Sequence, residues 1–151
     1  MLFQQLNRTD AEKVQIMVKN VDGGGSITTG FGAMFATAGA SIDGISSVKA
    51  TAAGVKGFVG VAVQDIAING FGLVTAWGYV NSVQLSNVGS SITVTAGDTL
   101  IPGAVAGTFF SSVTAQAMST LLYKYVIAAT TIPVDISNLN QSFVAGIVRA
   151  L

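Results

Sequence analysis

The chain has 151 residues, of which 9% are charged, against about 25% in an ordinary soluble domain. Seven basic and seven acidic residues cancel, so no long-range field draws the chain to nucleic acid or to an anionic membrane. Cysteine and histidine are both absent, which excludes disulfides, Cys/His zinc sites, Ser-His-Asp triads and cysteine nucleophiles.

Residues 1–11 read as an N-terminal arm ahead of a single domain spanning 12–151. Leu2, Phe3 and Leu6 are apolar but sit among Gln4, Gln5 and Asn7 without a clear period, and Arg8, Asp10, Glu12 and Lys13 mark a solvated hinge. No basic stretch followed by an apolar one opens the chain, so synthesis in the cytoplasm is expected. The alternatives for the arm are a short amphipathic helix or a frayed terminus.

From Lys13 the pattern alternates. Val14, Ile16 and Val18 fall on one face, and Lys13, Gln15, Met17 and Lys19 on the other, as in a strand with one wet side. The glycines at 23–25 end it. Two short strands are expected between Ile27 and Gly44, and a weak one over Val48–Ala53. Phe58–Val63 is continuously apolar, which predicts a strand covered on both faces. Asn69-Gly70 signals a hairpin turn. A long alternating strand follows and ends near Leu85. Ile92 and Val94 precede an Ala-Gly-Asp turn, Pro102-Gly103 signals another, and Thr108–Val113 reads as a strand. Ala115–Ala129 fits helical spacing through Met118, Leu121, Leu122 and Tyr125. It also fits strand spacing through Leu121, Tyr123, Tyr125 and Ile127, which its aromatic and β-branched content favours. Ile132-Pro133 ends that segment, and "SFVAGIVRAL" closes the chain as a strand. About eight to ten short strands with regular turn signals predict an all-β sandwich or barrel.

Hydrophobic residues make up 50% of the chain. A surface short of Lys and Glu is either built from uncharged polar residues or buried against other chains, and zero net charge favours association. A transmembrane β-barrel would need an export signal and aromatic girdles at its strand ends, and neither is seen. No catalytic, cofactor-binding or metal-ligating residues are expected. The acids Asp10, Glu12, Asp22, Asp43, Asp65, Asp98 and Asp135 are scattered, with only Asp10 and Glu12 close together. "GFGAMFATAG" lacks the Lys-Ser/Thr ending of a phosphate loop and reads as turn glycines. Asp65, alone in its apolar run, is either a perturbed acid or a strand-ending residue bonded to backbone amides. Trp77, alternating with Thr75 and Tyr79, is either a stacking platform for a sugar or base, or a core or interface anchor.

"EKVQIMVKNVDGGGSITTG", "FVGVAVQDIAINGFGLVTAWGYV" and "FVAGIVRAL" together resemble the small cement, or decoration, proteins of tailed-bacteriophage capsids. The most telling part runs through Gly60-Val61-Ala62, Asp65-Ile66-Ala67, Gly72-Leu73-Val74 and Trp77-Gly78, with Arg149 near the end of the closing strand. The resemblance covers about a third of the chain and leaves Ser111–Leu139 unmatched. It implies a jelly-roll-like β-sandwich on the outer capsid surface of a virion. It also implies a non-enzymatic role, the major capsid protein as partner, and self-association as a homodimer or homotrimer, with no nucleic acid, membrane or cofactor. On that expectation Leu2, Phe3, Leu6 and Trp77 are interface residues, the arm lying in a groove of a neighbouring subunit. The alternatives are a tail or baseplate subunit, or a carbohydrate-binding β-sandwich using Trp77 and an aspartate.

Overall fold

A computed structural model describes residues 12–36, 43–52, 57–86, 92–103, 105–111, 126–134 and 143–150. The interface candidates Leu2, Phe3 and Leu6, and residues 115–125 of the ambiguous segment, lie outside them. The described residues form eleven strands and no α-helix. The strands are β1 (Val14–Asn20), β2 (Gly32–Phe35), β3 (Ser46–Lys49), β4 (Phe58–Ala62), β5 (Phe71–Gln84), β6 (Ile92–Val94), β7 (Thr99–Pro102), β8 (Phe109–Ser111), β9 (Val126–Ala128), β10 (Ile132–Val134) and β11 (Phe143–Arg149). The chain is therefore all-β, as its turn spacing predicts. Among the described residues no helix is long and apolar enough to cross a membrane.

Nine strands share one sheet in the order β1-β3-β2-β4-β5-β11-β9-β7-β8, and β1 also pairs with β5. That extra pairing closes β1, β3, β2, β4 and β5 into a barrel. The remaining four strands continue from β5, and their far end returns to it, because Leu85 bridges Phe109 and the Ser86 amide donates to the Phe109 carbonyl at 2.8 Å. Most pairings are antiparallel; β1 with β3 is parallel. β10 and β6 form a separate two-stranded sheet.

The 14-residue β5 holds the two halves together. Its first half pairs with β1 from Phe71 to Trp77, and its second half pairs with β11 from Trp77 to Gln84. Bulges re-aim it twice. Val14 and Gln15 face Trp77 and Thr75, so Ala76 is the extra residue. Val144 and Gly146 face Val83 and Val80, leaving Asn81 and Ser82 against Ala145 alone. Each bulge switches which side chains point to which side.

Two hydrophobic clusters result. Val18, Ile27, Ala33, Val59, Ala62, Ile66 and Val74 fill the barrel. The other is built around Phe58, Val61, Val80, Val83, Leu100, Phe109, Val126, Val144 and Val148. β4 serves both, sending Val59 and Ala62 into one and Phe58 and Val61 into the other. This is why its sequence has no polar face.

Several local details differ from the sequence expectation. The turn after β4 is Ala67–Gly70, closed by the Gly70 amide on the Ala67 carbonyl at 2.9 Å, and Asn69 takes the positive φ of 62°. Asn69-Gly70 is thus not the central pair, and the eight-residue connection folds back over the barrel. Asn20 pins it there: its buried side-chain amide donates to the Ile66 carbonyl at 2.9 Å, and its backbone amide donates to the Gly70 carbonyl. The third strand is Ser46–Lys49, earlier than the expected Val48–Ala53. Pro102 ends β7 and turns nothing; the reversal comes at Val105–Thr108. Pro133 sits inside β10, opposite Thr93.

Candidate interaction surface

Strand alternation determines which side chains of β5 and β11 face solvent. Beyond the Ala76 bulge, Trp77 stands in a cross-strand row with Val14 on one side and Arg149 on the other. The next row runs from Tyr79 through Ile147 to Ile127. Tyr79 is 36% exposed and Ile147 41%, which is high for large apolar side chains in the middle of a sheet. Trp77 is half-buried and belongs to neither hydrophobic cluster. The expectation of an interface or core anchor therefore finds it on a sheet face rather than in the core.

Two cations lie over these rings. The Arg149 guanidinium sits 5.3 Å from the Trp77 ring centre, and the Lys13 ammonium 5.9 Å from that of Tyr79. At exposed positions such contacts contribute about 0.5–1 kcal/mol each. They also fix long side chains that would otherwise lose rotamer freedom on binding. A second apolar patch lies on the barrel wall, where Met17 is 62% and Phe71 60% exposed. Lys19 pairs with Phe71 across the strands and places its ammonium 6.0 Å from that ring.

Beside Tyr79 a cleft of about 330 Å³ opens, lined by Lys13, Gln15, Thr75, Asn81 and Ser82 among others. Thr75 is buried, and its hydroxyl has no hydrogen-bond partner. Thr29 closes part of the wall. Its backbone amide and hydroxyl both donate to Asp65 Oδ1, at 2.7 and 2.9 Å.

Those two bonds account for Asp65. The Thr29 amide, then its hydroxyl, stabilise the carboxylate and lower its pKa. The residue ties the loop after β4 to the Thr29 turn, the backbone-bonding role that was one of its two sequence readings. Among the described residues no three of His, Cys, Asp or Glu gather as a metal site would require. Asp10, the partner of Glu12 in the only close acidic pair, lies outside the described residues.

Sequence reasoning found Trp77 and put Lys13 on a wet strand face, but did not assign Tyr79, Ile147 or Arg149 to a surface. The alternation Thr75-Trp77-Tyr79 was visible. What placed Ile147 and Arg149 beside it was the register of β11, a long-range pairing with no local signal. Comparison with protein-family models gives no match, and comparison with curated proteins gives none either.

Proposed function

We propose that this protein is a non-enzymatic structural subunit that docks on a protein lattice, and that the lattice is the major capsid protein of a tailed bacteriophage. On this reading it is a cement, or decoration, protein on the outer surface of the virion. One observation carries the docking: a sheet face presenting Trp77, Tyr79 and Ile147 with Arg149 and Lys13 over its rings. Tyr, Trp and Arg are the residues most enriched in the energetic centres of protein interfaces. The 9% charge content agrees with a chain that spends its life against neighbours. The capsid as partner rests on the resemblance of the three sequence stretches quoted above.

The jelly-roll-like sandwich that goes with this family is part of the proposal, supported by the all-β content and the largely antiparallel pairing. Self-association as a homodimer or homotrimer belongs to it too, since closed symmetric assemblies are the common solution for repeated subunits. In it the arm carrying Leu2, Phe3 and Leu6 reaches a neighbouring subunit. Cryo-electron microscopy of virions carrying this protein tests the reading. Density for the β-domain on the shell exterior is expected. Density confined to the tail or baseplate would overturn it in favour of the other virion role.

A further inference from the structure

We propose that the cleft beside Tyr79 receives a carboxylate side chain from the protein partner. This rests on the docking reading above and names the chemistry of the contact. Among the lining residues, Lys13 is the one that carries a charge, and Gln15, Thr75, Tyr79, Asn81 and Ser82 are uncharged groups able to donate hydrogen bonds. Thr75 is 1% exposed with its hydroxyl unpartnered, and a buried hydroxyl without a partner is costly until an acceptor reaches it. A carboxylate supplies acceptors only, which the N–H and O–H groups of this lining can all face, and it gains charge-assisted bonds from the Lys13 ammonium. Asp65 is tied to the cleft wall through Thr29, whose backbone amide and hydroxyl both donate to its Oδ1. The cleft shares Lys13 and Tyr79 with the exposed sheet face, so a partner lying on that face can insert a side chain without a second docking event. The apolar rows would supply contact area, and the cleft would supply register and selectivity.

The test needs no capsid, so its outcome is separate from that of the docking reading. The intact protein, labelled for NMR, is titrated with N-acetyl-glutamate methylamide, then with the glutamine analogue, then with glucose. Saturable shifts at the Lys13, Thr75 and Ser82 amides are expected with the acid, at least about tenfold tighter than with the amide analogue. Lys13→Gln should abolish the preference for the acid. Thr75→Val, nearly isosteric and checked for folding by its melting curve, should weaken acid binding. Equal shifts with acid and amide, saturable binding of glucose alone, or no saturable shift up to the solubility of the acid would each overturn the proposal. In any of those cases the sheet face could still dock on a lattice.

Discussion

Asp43 illustrates how a single exposed carboxylate organises local backbone in this chain. Its Oδ1 accepts from the Ser46 amide at 2.6 Å and the Ile45 amide at 2.9 Å, and its Oδ2 from the Ser46 hydroxyl at 2.8 Å. The Ser46 amide, then the Ile45 amide, then the Ser46 hydroxyl lower its pKa to about 2. A folded-state pKa below the unfolded one means the contribution is complete above the ordinary value of 3.8. It is lost as pH falls through about 2. Carboxyl NMR should therefore show Asp43 titrating near 2, and Asp43→Asn should flatten the dependence of stability on pH across that acid window. An ordinary titration would mean that the Asp43 turn is open in solution. Gln84 presents the opposite case. It is fully buried, and neither its Oε1 nor its Nε2 has a partner. Such a group costs about 1–3 kcal/mol, so Gln84→Met should raise the melting temperature, by about 2–4 °C for each kcal/mol recovered. A lower melting temperature in calorimetry would show that the carboxamide is satisfied after all.

At the scale of elements, β5 explains both what was legible and what was not. The alternation in β1, the unbroken apolar run of β4, the long strand ending near Leu85 and the closing β11 all follow from side-chain period, and the structure contains each of them. The failures share one cause: they depend on partners distant in sequence. Pro102 reads as a breaker, yet it is the last residue of β7 and stands opposite Phe109 of β8. Pro133 lies inside β10, opposite Thr93, in a pairing of two strands among the described residues. The bulges of β5 were invisible because nothing local marks Ala76 as the extra residue. Gly78, just beyond it, does carry a trace. Its φ is 107°, and a side chain there would meet the Glu12 carbonyl. Gly78→Ala should cost at least about 1–2 kcal/mol from the backbone alone, seen as a lower melting temperature. An unchanged melting curve would mean that the strand relaxes there and that the Trp77 face is less rigid than its register implies.

Across the whole molecule, two hydrophobic clusters share β4 and β5, so the barrel and the strands beyond it are bound by common elements rather than by a linker. That arrangement makes β5 the support of the exposed rows, with Trp77 paired to both β1 and β11 and Tyr79 paired to β11. Low charge, an apolar-aromatic sheet face and cations resting on its rings are together what the proposed docking on another protein rests on. The sequence suggested such a surface through composition alone. It could not locate it, because the residues that complete it come from opposite ends of the chain and meet only in the folded sheet. The most direct test of this account is co-sedimentation of the protein, and of a Tyr79→Ser, Ile147→Ser double variant, with capsids lacking it. Both sites are partly exposed, so the variant should keep its β-type circular dichroism and a melting temperature close to that of the parent. Its affinity for the lattice should fall by at least about tenfold, the equivalent of 1.4 kcal/mol. A folded variant that sediments with capsids as tightly as the parent would contradict the assignment of this face as the docking surface.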